Sequence, residues 1–233
     1  MANASNFVAP PGANLIGLWD FLDGSEKSDM GLADGIAQNV VKHGGYFPNG
    51  FYRTGSGDDH LHVQGDDTPF DLSEGSVMTL FAATAAPKPG EDYVTIVSRG
   101  EHADAQEEGF FEVRLTSAGA VEVVHQDGNA VSLLGTGDGF AELSDRIKVT
   151  YSWDADAGTR LLVENTTQGM SFSAESSVTG LSFALTDKDN ESFTIAAEET
   201  DDNEYGHFFE GKIDYVATLE RVRKRLGKSD KAA

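Results

Sequence analysis

The chain has no cysteine. That excludes a disulfide framework and any thiolate metal site, and it leaves the compartment open. No stretch approaches the roughly 18 continuous apolar residues that a membrane span requires, so no span is expected. The first residues, MANASNFVAPPGANL, have neither the basic nor the apolar region of a secretory signal. Basic side chains are scarce: 17 Lys and Arg stand against 39 Asp and Glu, a net charge of −22. The shortage is uneven. Residues 221–233 hold six bases and one acid, while the preceding 220 residues hold 11 bases and 38 acids, a net −27. Such a body repels phosphate backbones, which argues against a nucleic-acid partner and suits a soluble protein of a salty habitat. Helical periodicity is also lacking, since no window sustains a 3.6-residue repeat.

What is present is alternation. Side chains on a strand change face with every residue. In the closing stretch HFFEGKIDYVATLERV, this rule predicts Phe209, Gly211, Ile213, Tyr215, Ala217 and Leu219 on a core. Glu210, Lys212, Asp214, Thr218 and Glu220 then face water, with Val216 as a tolerated exposed apolar residue. LIGLWDF (15–21), HLHV (60–63), YVTIVSR (93–99), GFFEVRLT (109–116), AVEVVHQ (120–126), DRIKVTYSW (145–153), TRLLVEN (159–165) and SFTIAA (192–197) read as strands. VMTLFAAT (77–84) is apolar on both parities and reads as a central strand covered on both sides. SAGA (117–120) and DADAG (154–158) read as hairpin turns, and EETDDNE (198–204) as a solvated acidic loop. About ten short strands without helices predict an all-β sandwich or barrel in a single domain spanning 15–220. An extended arm (1–14) and a basic tail (221–233) flank it.

LIGLWDF, TIVSRG, GFFEVRLTSAGAVEVV, DRIKVTYSWDADAGTRLLVEN and FFEGKIDYV occur in this order. Together they resemble the laminin-G-like, concanavalin A-like lectin/glucanase jelly roll. The closing motif carries most of the likeness, through Phe209, Gly211, Ile213, Asp214 and Val216. The resemblance covers residues 15–219. It implies a two-sheet antiparallel β-sandwich in which the last strand lies beside the first.

Several groups are candidates for chemistry. Glu199-x-Asp201-x-x-Glu204 matches the spacing of a catalytic array in one glycoside hydrolase branch of that superfamily, where two carboxyls need opposed pKa shifts. Its interleaved residues, Thr200, Asp202 and Asn203, are polar, and it sits just before the last strand, so a plain acidic loop explains it better. Calcium is the cofactor that the acidic loops suit, since the ion takes hard oxygen ligands. Asp187, Asp189, Asp201, Asp202 and Glu204 are the candidate ligands. His60 and His62 share a strand face but lack a third zinc ligand in sequence. Sugar binding needs aromatic faces and planar polar groups beside loops. Tyr52, Arg53, Arg99, Tyr205 and His207 are the candidates.

These features favour a non-catalytic recognition or adhesion module that binds glycan, or protein, at an extracellular or particle surface. A second reading is a virion or particle-surface structural protein, a phage-like decoration or fibre component. It rests on the Pro10-Pro11 arm, the basic tail that could dock on a capsid or on another copy, and the missing export signal. A third is a polysaccharide hydrolase or lyase; VVHQDG, with His125 and Gln126, echoes the lyase pattern in the wrong order.

Overall fold

The alternation becomes two antiparallel sheets laid face to face. The computed structural model describes residues 7–8, 10, 13–20, 40–43, 46–47, 50–52, 60–63, 70–101, 109–184, 193–201 and 204–220. The first sheet runs, in spatial order, β13 (Met170–Ser176), β12 (Gly158–Asn165), β11 (Ile147–Asp154), β6 (Glu74–Ala83), β17 (Gly211–Leu219), β4 (Gly50–Tyr52) and β3 (Tyr46–Phe47). β1 (Leu15–Asp20) also pairs with β17, so first and last long strands are neighbours. The second sheet runs β10 (Ala130–Gly135), β9 (Val121–Asp127), β8 (Phe110–Thr116), β7 (Tyr93–Arg99), β14 (Phe193–Ile195), β5 (His60–Val63) and β2 (Val40–His43). β15 (Glu198–Asp201) and β16 (Glu204–Gly206) form a separate hairpin. No α-helix occurs among the described residues.

The inner faces follow the alternation. Phe111, Val113 and Leu115 of β8 and Val121 and Val123 of β9 meet Val149, Tyr151 and Trp153 of β11 and Val77 and Phe81 of β6 in one core. Trp153 stacks on Phe183 at 3.9 Å, and Trp19 stacks on Phe193 at 5.1 Å. Burial of each such ring stabilises the fold by about 2–3 kcal/mol. The β8–β9 connection is SAGA, as expected. Thr116 N–H bonds Ala120 O around Ser117-Ala118-Gly119, with Gly119 at φ +77°. Three-residue hairpin loops end on a left-handed residue of this kind, which glycine adopts without cost.

The closing strand departs from simple alternation. Its register with β6 shifts between Ile213 and Tyr215, and a bulge inserts one residue and reverses the faces beyond it. Ile213 points into the core, but so does Val216, which is fully buried rather than exposed. Tyr215, Ala217 and Leu219 face the other way. They join Leu15, Leu18, Met78 and Leu80 in a second apolar cluster on the outer side of the first sheet. Asp214, expected in water, is buried at the bulge, where Arg146 Nη2 reaches it at 2.6 Å and Lys212 pairs with it. Phe7 and Ala13 pack on the second cluster, Phe7 meeting the Tyr215 ring edge-on at 5.4 Å. Phe7 and Ala13 therefore cover part of this outer face.

Candidate functional site

The outer face of the second sheet is covered by a different device. β7 has a register shift between Thr95 and Val97. This frees backbone groups for an incoming segment: Ala196 N–H bonds Ile96 O at 2.9 Å, and Thr95 N–H bonds His207 O at 2.7 Å. Between these anchors the chain leaves the sheet, forms the β15–β16 hairpin and returns. Both anchors are non-glycine residues in the left-handed region, Ala196 at φ +72° and His207 at φ +49°. Such conformations cost about 1 kcal/mol or more each and persist only where surrounding contacts determine them.

Glu198 and Glu199, expected on a solvated loop, are instead part of this cover, each 1% exposed. Beneath it lies Glu112. Its parity on β8 points it away from the core, yet it is 0% exposed. The Glu112 and Glu198 carboxyls lie within hydrogen-bonding reach of each other. The Thr95 hydroxyl donates to Glu112 and reaches Glu198 at 3.4 Å. Burial first, and the adjoining Glu198 charge second, hold the Glu112 pKa well above the ordinary carboxylate value. Two buried carboxylates in contact cannot both stay charged, so Glu112 keeps its proton.

Above the pair sits a half-exposed layer. Tyr93 O–H donates to Glu198 at 3.1 Å. Burial, then the charges of Glu112 and Glu198, push its pKa far up, so the phenol stays neutral. The His207 imidazole stacks on the Tyr93 ring at 4.2 Å and 9°, with Nε2 3.7 Å from Glu198. The Arg114 guanidinium packs 4.6 Å from the same ring centroid. Arg114 also forms a pair with Glu122 at 2.8 Å and stands 3.6 Å from Glu112. Tyr205 covers His60 at 4.1 Å, and Phe208 approaches the same imidazole at 5.8 Å.

Beyond Arg114 the outer face opens. Register places Glu122 beside Arg114, Val124 between Glu112 and Leu133, and Gln126 between Phe110 and Val131. Val131 and Leu133 are 45% and 57% exposed. The site is thus a step: a covered polar layer on β7 and β8, and an open strip on β9 and β10.

The predicted ligand-binding residues divide. His207 and Tyr205 belong to the cover and are half-buried. Arg99 is corrected: it is 1% exposed, its Nε bonds Phe183 O at 2.8 Å and its Nη2 pairs with Asp71 at 3.0 Å. That guanidinium faces the interior because it follows Val97 on the inward parity, and it serves the fold. Tyr52 lies on β4, opposite Lys212. Arg53 lies outside the described residues, as do Asp187, Asp189 and Asp202. Asp201 lies on β15 opposite Glu204, whose side chain is exposed. Among the described residues no three His, Asp or Glu side chains are placed to hold a metal ion. His125, the echo of a lyase motif, is a core residue bonded to Tyr151 Oη and Ser182 O, each at 3.0 Å. Burial pushes its pKa down to about 4, so it is neutral.

Glu112, Glu122, Thr95 and Glu198 were not singled out from sequence, and Arg114 stood out only within FEVRL, an echo of a lyase strand. Arg114 and Glu122 had a local signal, since a hairpin turn at 117–119 sets them opposite each other. Glu198 had none, because it meets Tyr93 and Thr95 across more than a hundred residues.

No family model matches the chain, and no curated protein does. Among solved structures, the K499G mutant of NanB sialidase from Streptococcus pneumoniae superposes with a TM-score of 0.50 at 12% identity, over 67% of this chain and 23% of that one. The Ruminococcus gnavus IT-sialidase CBM40 bound to alpha2,3 sialyllactose gives 0.49 at 14% identity, over 67% and 80%. The native heptameric SAP-like pentraxin from Limulus polyphemus gives 0.49 at 10% identity, over 76% of each chain. This chain thus spans about a quarter of the NanB sialidase. With the strand order above, the likeness shows the fold to be a two-sheet antiparallel β-sandwich.

Proposed function

We propose that the chain is a non-catalytic glycan-recognition module whose ligand lies on the open strip of β8–β10, against the wall formed by the β15–β16 cover. The observation that carries this reading is the fixed presentation of planar polar groups. Arg114, Glu122, Tyr93 and His207 are half-exposed, and each is oriented from below or beside by a second contact. Sugar hydroxyls are discriminated by a few polar groups held in place on a surface that also offers apolar contact. Val124, Val131 and Leu133 supply the apolar part.

The carboxyl pair does not suit glycoside hydrolysis. A retaining pair stands about 5 Å apart with the sugar between, and an inverting pair stands farther. Glu112 and Glu198 adjoin each other and are sealed from solvent, with no room for a glycosidic oxygen.

Glycan-array screening followed by calorimetry tests the proposal. Arg114→Ala and Glu122→Ala are each expected to weaken the captured glycan about 10-fold, roughly the loss of one or two hydrogen bonds to charged groups. No new reducing ends should form. Absence of any glycan ligand, or wild-type affinity in both variants, would overturn the reading.

A further inference from the structure

Resting on that reading, we infer that the glycan bound at this face carries no net negative charge: it is neutral or bears an amine, and carboxylated and sulfated sugars are rejected. Recognition of an acidic sugar is best served by a cation available to the anion, above all an arginine fork. Every arginine among the described residues is already committed to a carboxylate. Arg99 pairs with Asp71, Arg114 with Glu122 and Glu112, Arg146 with Asp214, and Arg160 with Glu175.

Among these described arginines only Arg114 stands at the proposed site, and it cannot be recruited without cost. Turning it toward a ligand would strip Glu122 of its 2.8 Å partner and remove the cation nearest to buried Glu112. Leaving the single charge of the buried Glu112–Glu198 pair without that cation opposes ligand capture. Among the described residues, the remaining acidic charges at the step have the same sign as an acidic sugar: Glu122 on the strip, and the Glu112–Glu198 pair with a single proton beneath it. His207, the other basic side chain there, leans on Glu198 through Nε2. At long range, the 220 residues ahead of the tail carry −27, which slows the approach of anions and favours cations. The sialyllactose carried by the Ruminococcus module is therefore the wrong charge class for this face.

The test is an array on which each neutral oligosaccharide is printed beside amine-bearing, carboxylated and sulfated forms of the same core, read at low and at 0.5 M salt. Binding of neutral or amine-bearing forms at least 10-fold above their acidic counterparts supports the inference. Preference for a carboxylated or sulfated form overturns it while leaving glycan recognition intact. Binding to nothing on the array overturns recognition itself, and this inference with it. Glu122→Gln provides an internal control, since it frees one arm of Arg114. The variant is expected to gain several-fold in relative binding of the carboxylated form, with circular dichroism unchanged. An unchanged ratio in a folded variant would count against the role given to the Arg114–Glu122 pair.

Discussion

The two sheets cover their outer faces by opposite means. The first sheet presents Leu18, Met78, Leu80, Tyr215, Ala217 and Leu219 outward and takes Phe7 and Ala13 on top. Burial of apolar area holds that contact, and burial is indifferent to proton concentration. The second sheet presents Thr95, Glu112 and Arg114 outward and is covered by a hairpin carrying Glu198 and Tyr205. Hydrogen bonds and one shared proton hold that contact. A face secured by apolar packing is a wall, whereas a face secured by titratable groups can be specific and can respond to its surroundings. The difference is the reason the proposed recognition face is the outer face of the second sheet.

The comparison breaks most readily at Val216. If the bulge at Asp214 did not exist, the outward row of β17 would be charged and Val216 would lie in water. With the bulge, Val216 is part of the main core. Val216→Asp then buries an unpaired carboxyl and is expected to cost more than about 4 kcal/mol, enough to abolish the cooperative unfolding transition. A well-folded V216D protein, seen by circular dichroism and thermal melting, would restore the unbulged strand and remove the apolar outer face.

That strand also shows what a sequence can convey. Its existence and the inward side of Phe209 and Ile213 were legible, because period two is a local property, whereas its pairing with β1 was implied only by the family resemblance. The bulge was not legible. It leaves the composition unchanged and is expressed only through pairing with β6, more than a hundred residues earlier. The same limit applied at the site. His207 and Tyr205 stood out as polar or aromatic residues near turns. Glu112 looked like any solvent-facing acid on an alternating strand, and only the distant hairpin buries it. Arg99 misled for the converse reason: the β7 bulge sets it on the inward parity, where Asp71 and Phe183 O meet it.

The two faces of the second sheet should respond to pH with opposite signs. On the inner face, His125 has a folded pKa of about 4 against 6.5 for the ordinary group. The unfolded chain therefore binds a proton first. Stability is complete above pH 6.5 and falls as pH drops toward 4, by about 3 kcal/mol from this group. Urea unfolding across that window measures it, and His125→Phe is expected to remove the slope while lowering stability at pH 7. On the outer face, Glu112 has its pKa raised. The unfolded chain loses its proton first, so stability declines as pH rises above the ordinary carboxylate range. The groups facing Glu112 are Glu198, Thr95 and Arg114, with Tyr93 and His207 beyond Glu198. Glu112→Gln supplies a permanent donor to Glu198 and is expected to flatten the decline between pH 5 and 9. A wild-type profile that rises over that interval, with the variant following it, would show the pair to be fully charged and the contrast between the two outer faces to be mistaken.

The smallest expected effect concerns the wall. Phe7 touches Tyr215 edge-on and reaches the second cluster only at its rim. Truncating it forfeits an aromatic contact and part of a ring's burial, about 1 kcal/mol in all. The Tyr215 hydroxyl, its pKa pushed up to about 12 chiefly by burial, stays neutral in the accessible range, so nothing at this contact titrates. Phe7→Ala is accordingly expected to lower stability by the same small amount at pH 5, 7 and 9. Constancy is the informative result, since a contact made by excluding water has no proton to lose. A loss that varied with pH would mean that a titratable group holds the arm, and the apolar face would then be secured in the same way as the polar one.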